Sequence, residues 1–303
     1  MKKLIIVLSA LFITLSNMAA NDVESNRYIT KDYDMKDFTG IVASGIVEVQ
    51  LTKSNACKVS VTMPDELEDY LDVKVTNGKL NISMRQVPLK FSKKYGVWSV
   101  TAKVSMPVLR SLSMSGASKL ECDSSFDLGN DTFKLELSGA SRANGLVIKA
   151  KELEVEMGGA TSATVSGVFQ NADIEMGGAS KCTFEIDAAQ LQQEISGGAK
   201  AYHTGEFGLI ELEASGASVF SLKGAADTVN IEASGASKVE TSQGPARAVK
   251  ARISGATYCE VNALETLKVD ASGASSLRYV SNQGMDLDLL SISRGSSVTK
   301  MRE

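Results

Sequence analysis

The sequence predicts an all-β chain in which a single-stranded, right-handed parallel β-helix of about ten coils follows a β-rich N-terminal capping region. Three observations support this prediction. A short peptide, of which "ASGASK" at 233–238 is one copy, recurs about every 20 residues; apolar and polar residues alternate on both sides of it; and residues 108–303 contain one proline. Repetition at a fixed period near 20 residues is typical of a solenoid, in which each unit stacks on its neighbours.

Residues 1–20, MKKLIIVLSALFITLSNMAA, are built like a secretory signal peptide. Lys2 and Lys3 precede an apolar run from 4 to 15, and small residues stand at Ala19 and Ala20. A membrane anchor is the alternative, but the run is shorter than the roughly 20 apolar residues of a spanning helix, and no cysteine follows it to carry a lipid. We expect cleavage near Ala20, no transmembrane segment in the mature chain, and export to the periplasm, cell surface or extracellular space.

Residues 21–110 form the predicted capping region. "GIVASGIVEVQL" around Gly45 resembles one isolated coil, "PDELEDYLD" from Pro64 resembles a short amphipathic helix, and Asn77-Gly78 between two alternating segments predicts a tight hairpin. Such a region would close the N-terminal end of the solenoid, where unpaired strand edges would otherwise invite aggregation.

Residues 111–303 form the predicted repeat domain, which is defined by one glycine in each coil. Successive glycines are 18 to 23 residues apart. A corner between strands needs a residue free to adopt positive φ, so we interpret them as structural turn glycines. They are Gly116, Gly139, Gly159, Gly178, Gly197, Gly216, Gly235, Gly255, Gly273 and Gly295.

The residues around each corner predict β-strands with one buried face. Positions two and four before the glycine, and four after it, are mostly apolar, as at Leu135, Leu137 and Ala143 around Gly139. A period of two indicates half-buried strands, and about 20 residues leave room for two or three short strands in each coil, paired in parallel with the next coil.

A hydroxyl residue stands two positions after the glycine in nine of the ten coils, where we expect it to hydrogen-bond backbone groups of the corner. The last coil departs from the pattern by placing Ile292 and Arg294 near its glycine, as expected of a terminal repeat.

These segments together resemble the family called putative auto-transporter adhesin, head GIN domain. The resemblance is carried by the SGAS corners, "GIVASGIVEVQL", "VTMPDELEDYLDVKVTNGKLNIS" and "VSMPVLRSLSMSGAS", and it covers essentially the whole mature chain. It implies a secreted or envelope-associated β-solenoid. It transfers no catalytic or binding residues to this sequence.

Chemistry-bearing residues are few. The one histidine, His203, falls in an inward-facing column, so we interpret it as a core residue rather than a catalytic base. No second histidine is available for a zinc site. We therefore predict no catalytic residues, no metal ligands and no cofactor. The mature chain carries 30 basic and 36 acidic residues, a charge of about −6, which argues against a nucleic-acid partner.

The four cysteines are too far apart along the stack to form a disulfide framework. Cys182 and Cys259 lie four coils apart, about 19 Å at the strand spacing, and Cys122 and Cys182 lie three coils apart. Both separations exceed the roughly 7 Å limit between the Cα atoms of a disulfide. A bridge between Cys57 and Cys122 remains open.

One column of the repeat is acidic and is the candidate surface site. Like charges stacked at about 4.8 Å repel unless water or cations surround them. The first interpretation is a solvated face that discourages lateral association, partly compensated by Lys119, Arg142, Lys181, Lys200 and Lys238; calcium or a cationic surface is the alternative. The column comprises Glu136, Glu156, Glu175, Glu194, Glu213, Glu232, Arg252 and Asp270.

Two classes of function remain. We prefer a non-enzymatic binding or adhesion module of the cell envelope or surface, whose partner is an extracellular glycan or a matrix or surface protein. The alternative is a carbohydrate-active enzyme, since parallel β-helices also carry polysaccharide lyases and hydrolases. Such enzymes stack sugars on exposed aromatics, whereas the one tryptophan, Trp98, lies outside the coils.

Overall fold

The computed structural model describes residues 27–88, 91 and 98–301. The predicted signal peptide lies outside these residues. None of the helices they form is long and apolar enough to span a membrane.

The N-terminal part is a small mixed sheet that closes one end of the stack. The expected amphipathic helix is a 3-10 helix at Asp65–Tyr70 that buries Leu67. The expected hairpin is present, with positive φ at both Asn77 and Gly78. The strands are β1 (Tyr28–Tyr33), β2 (Gly40–Ser44), β3 (Glu48–Lys53), β4 (Lys58–Pro64), β5 (Leu71–Thr76), β6 (Lys79–Met84) and β7 (Thr101–Met106).

The rest of the described chain forms stacked parallel coils, so the predicted parallel β-solenoid is confirmed. The strands are β8 (Ser111–Met114), β9 (Lys119–Cys122), β10 (Ser125–Asp127), β11 (Thr132–Leu137), β12 (Arg142–Lys149), β13 (Glu152–Met157), β14 (Ser162–Met176), β15 (Lys181–Ile195), β16 (Lys200–Ala214), β17 (Val219–Ala233), β18 (Lys238–Ile253), β19 (Tyr258–Ala271), β20 (Ser276–Val280), β21 (Asp286–Ile292) and β22 (Ser297–Lys300).

The central coils differ in one respect from the prediction of two or three short strands. Each of β14 to β19 is one continuous strand of 14 to 16 residues that runs from one corner glycine to the next. The burial alternation slips between Phe169 and Ala172, and at the equivalent Ala188 and Leu191 of the next coil. Because the slip falls at the same place in both coils, they remain paired in register across it.

The stack begins earlier in the chain than the repeat spacing suggests. The coil of Gly45 lies directly under that of Gly116, because β2 pairs in parallel with β8 and β3 pairs with β9. On their other edges, β2 pairs with β6 and β3 pairs with β7, both in parallel. Outside these strands the pairing is antiparallel: β5 pairs with β6, β4 pairs with β7, and β1 pairs with β4. The parallel stack thus changes to antiparallel pairing at this end. The division at residue 110 remains a prediction.

The corner glycines form a backbone ladder along the stack. Their φ angles lie between +67° and +95°. From Gly116 to Gly273, the residue after the glycine donates its N–H to the carbonyl of the glycine one coil below, as in Ala217 to Gly197 at 2.7 Å; after Gly295, Ser296 donates to Ser293 instead. A Cβ added at Gly216 would stand 2.8 Å from that carbonyl oxygen. The small residues at the corner are therefore required by the close approach of neighbouring coils as well as by the turn.

The buried hydroxyls after the corners bond as expected in part of the stack. Ser118, Ser237, Thr257 and Ser275 each donate to the carbonyl three residues earlier, at 2.7 to 2.9 Å. The hydroxyls of Thr161, Ser180 and Ser218 have no hydrogen-bond partner.

Candidate functional site

The acidic column forms one wall of a long groove on the outside of the coils, which we call the ladder groove. The side chains three positions before each corner glycine line one wall, and the residues directly before the glycine line the other. The groove encloses about 990 Å³ and runs from Ser113 to Ser272. The second wall consists of Ser138, Gly158, Gly177, Ser196, Ser215, Ser234, Ser254 and Ser272.

The acids of the ladder stand opposite one another in register. Each of the six glutamates from 136 to 232 is the direct pairing partner of the next, and Arg252 separates the last of them from Asp270. This arrangement is dictated by the repeat, because residues at the same place in successive coils become cross-strand neighbours about 4.8 Å apart.

Among the described residues, bases compensate the glutamate run only at its two ends. Lys134 lies 3.2 Å from both Glu136 and Glu156, and Arg252 lies 2.6 Å from Glu232. Hydrogen bonds to Glu156 and Glu136 raise the pKa of Lys134 above its usual value. Such exposed pairs contribute little stability, about 0.2–1 kcal/mol each.

The bases that were expected to compensate the ladder lie beyond the corner and interact elsewhere. Lys238 pairs with Glu240, and Arg142 donates to the hydroxyl of Ser162. Within the described chain, Glu175, Glu194 and Glu213 form no ion pair, so the middle of the groove is its most negative part. The residues that the structure describes include no group of three or more histidine, cysteine, aspartate or glutamate side chains arranged to hold a metal ion.

The groove offers carboxylate acceptors on one wall and serine hydroxyls on the other. The second wall has no side chain larger than serine, so the groove stays open to solvent along its length. It is suited to hydrogen bonding and to attraction of positive charge along several coils at once.

His203 lies in the core, away from the groove. The residue is 1% exposed, and its ring stacks on Phe184, with centroids 4.7 Å apart and planes 11° apart. The ring of Phe220 lies on the other side, 5.1 Å away and tilted by 32°. The Nε2 of His203 lies 3.1 Å from the side-chain oxygen of Gln193. Burial lowers the pKa of His203 to about 3, so the ring is neutral and Nε2 donates to Gln193.

Gln193 is the partner that sequence reasoning missed. Its amide nitrogen donates to the carbonyls of Ile174 and Glu194, at 3.0 and 3.1 Å. Gln193 and His203 are polar members of two mostly apolar columns and belong to the same coil. A polar residue in both of these columns of one coil was the signal in the sequence for a buried polar pair.

The four cysteines are free thiols, which answers the open question of Cys57 and Cys122. Burial raises the pKa of Cys182 well above its usual value and that of Cys259 to about 12. Buried neutral thiols of this kind are poor nucleophiles.

Comparison with known proteins places this architecture in a family. The model of the family described as "putative auto-transporter adhesin, head GIN domain" matches residues 37–204 and 181–282. No curated protein matches the chain.

Solved structures that match over most of this chain are distant from it in sequence. A structure described as a putative lipid binding protein from Parabacteroides distasonis is 16% identical, with a TM-score of 0.48 over 91% of this chain and 98% of that one. A putative adhesin from Parabacteroides merdae is 15% identical, with a TM-score of 0.47 over 91% and 97%. A putative adhesin from Bacteroides fragilis is 16% identical, with a TM-score of 0.41 over 91% and 98%.

The family model covers most of the described coils, including the ladder from Glu136 to Asp270. The chain therefore belongs to the family described as putative auto-transporter adhesin, head GIN domain.

Proposed function

We propose that this protein is an exported, non-enzymatic binding module of the cell envelope or cell surface, which holds its partner along the ladder groove. The observation that carries the proposal is the groove itself, a continuous open surface along the coils from Ser113 to Ser272. Membership of an adhesin family supports a surface role of this kind.

The charges of the groove favour a partner that presents positive groups. Glu175, Glu194 and Glu213 face solvent on successive coils and form no ion pair with the described bases, while serine hydroxyls line the opposite wall. An extended basic segment of a matrix or surface protein, or a glycan bearing amino groups, would meet carboxylates at every strand spacing. Many weak contacts of this type add up only when the ligand lies along the stack.

A binding screen tests the proposal. The mature protein, residues 21–303, is screened against glycans and matrix proteins, and each hit is measured again with the ladder variant Glu156→Gln, Glu175→Gln, Glu194→Gln and Glu213→Gln. We expect hits to be rich in positive charge, to weaken with added salt, and to be lost in the ladder variant.

A control variant separates the groove from net charge. It removes four other exposed acids by the changes Glu185→Gln, Glu206→Gln, Asp227→Asn and Glu265→Gln, all outside the groove. We expect this variant to bind like the wild type. Equal loss in both variants would contradict the groove as the binding face, and a screen without hits would contradict the binding role.

A further inference from the structure

The C-terminal end of the solenoid presents an open strand edge. β21 pairs with β19, and β22 pairs with β20. Within residues 27–88, 91 and 98–301, β21 pairs with no strand other than β19, and β22 with none other than β20. An unpaired edge exposes a row of N–H and C=O groups that can pair with another strand.

The same end exposes apolar side chains that belong to the core columns. Leu287, Leu289 and Ile292 pair in register with Leu267, Val269 and Ala271, all of which are fully buried. Leu289 is nevertheless 48% exposed and Ile292 is 39% exposed. Leu290 is 54% exposed and occupies a bulge, at which the register shifts between Leu289 and Ser291. These side chains form an apolar patch, which we call the end patch (Leu287, Leu289, Leu290 and Ile292).

The opposite end of the molecule has charged edge strands where the C-terminal end has an apolar patch. Its outer strands, β1 and β5, are antiparallel and carry charged side chains, among them Lys31, which pairs with Glu68, and Lys74, which pairs with Asp72. Charged residues on an edge strand discourage pairing. This end is therefore a poor match for the end patch, which argues against head-to-tail stacking of copies.

A second copy of the same end is complementary to it. In antiparallel pairing of β21 with its own copy, inward side chains must face inward side chains, because strand side chains alternate with a period of two. The register that satisfies this rule places Leu287 opposite the partner's Ile292, brings the two Leu289-Leu290 bulges together, and sets Asp288 opposite the partner's Ser291.

The charges of the edge agree with this register. β21 begins with Asp286 and Asp288, and Arg294 follows its end. The antiparallel copy brings Asp286 of each chain opposite Ser293 of the other and beside its Arg294. A parallel copy would instead set acid against acid. In the antiparallel arrangement, two equivalent contacts between Asp286 and Arg294 flank the buried leucines.

We propose that this end is the interface of a two-fold symmetric dimer, in which β21 pairs antiparallel with β21 of a second copy and the two end patches cover each other. Such an isologous contact closes on itself and forms no filament. The dimer is independent of the proposed binding function. If both hold, each dimer carries two ladder grooves and could bind a repetitive surface bivalently.

The mass of the mature protein in solution tests the dimer. Light scattering after gel filtration, run over a series of concentrations, is expected to give twice the chain mass, falling towards the chain mass on dilution. Leu290→Lys, which places two charges at the centre of the interface, should give a monomer. The matched control is Val168→Lys, at a residue 51% exposed on β14, which pairs with β12, β13 and β15 and lies several coils from β21, and it should remain dimeric. Melting curves of both variants verify that they fold.

Charge reversal tests the register. Asp286→Arg alone and Arg294→Asp alone should each weaken the dimer about tenfold, since both symmetry-related contacts become repulsive, and the variant carrying both changes should recover wild-type affinity. A wild-type protein that is monomeric at every concentration, or that grows beyond a dimer, would overturn the proposal. Failure of the double reversal to recover would overturn the antiparallel register. Neither result depends on whether the ladder groove binds a ligand.

Discussion

Replacing His203 with Leu should remove a loss of stability that the wild-type protein suffers between pH 7 and pH 5. The ring lies between Phe184 and Phe220, and its hydrogen-bond partner is the uncharged side chain of Gln193, so these neighbours do not stabilise a positive charge. The pKa of His203 is about 3 in the folded protein, against 6.5 for an exposed histidine. On unfolding below pH 6.5, the ring gains a proton that the folded protein excludes.

The size of the effect follows from the two pKa values. Because the folded pKa is the lower one, protonation favours the unfolded chain and stability falls as the pH falls from about 6.5 towards 3. The unfolded state gains about 0.2 kcal/mol at pH 7 and about 2 kcal/mol at pH 5 from this one residue. The wild-type free energy of unfolding should therefore fall by about 2 kcal/mol more than that of His203→Leu over this interval.

The assay is urea unfolding of the wild type and His203→Leu at pH 7 and pH 5. The comparison isolates this side chain because the chain contains one histidine and all other titrating groups are shared by the two proteins. Equal pH dependence in both proteins would refute the reasoning, because it would mean that the ring is protonated or exposed in the folded state.

Gln193 supplies a second control. His203→Leu leaves the Gln193 side-chain oxygen without its donor, and an unsatisfied buried acceptor costs about 1–3 kcal/mol at either pH. The double variant Gln193→Leu/His203→Leu removes both polar partners and matches the apolar residues of the neighbouring coils. At pH 7 we expect the double variant to be more stable than His203→Leu by most of that cost. Its stability should depend on pH as weakly as that of His203→Leu.

Three further predictions concern the corners, the ladder and the thiols. Gly216→Val should lower stability by about 1–3 kcal/mol because of its positive φ and the backbone of the coil below, whereas Gly158→Val, where an added Cβ meets nothing within 4 Å, should melt within a few degrees of the wild type. Equal melting of the two variants would contradict the corner assignment. The ladder variant Glu156→Gln, Glu175→Gln, Glu194→Gln and Glu213→Gln should be as stable as the wild type or slightly more so, and millimolar calcium should shift neither melting curve; a rise of several degrees in the wild type alone would show that the ladder binds calcium. Cys182 and Cys259 should react with thiol reagents only after unfolding, and a mapped bridge between them would contradict the coil alignment.

The repeat determined the coils, because the signals that mark them are local. A glycine at each corner, apolar residues at alternate positions and a spacing near 20 residues describe one coil by itself, and equal coils can stack only with equivalent positions aligned. The in-register column from Glu136 to Asp270 and the inward position of His203 followed from the spacing alone. So did the atypical last coil, where Gly295 lies outside the regular ladder of corner hydrogen bonds.

Contacts between residues distant in sequence, or peculiar to one coil, required the tertiary structure. Gly45 stacks under Gly116 across about 70 intervening residues, a pairing that no local pattern encodes. The sequence shows how many bases lie near the ladder, but not which carboxylates they contact. In the structure, Lys134 and Arg252 pair with ladder glutamates, whereas Lys238 pairs with Glu240. The open edge of β21 likewise depends on which strands pair, since the same alternation of residues would suit an inner strand or an outer one.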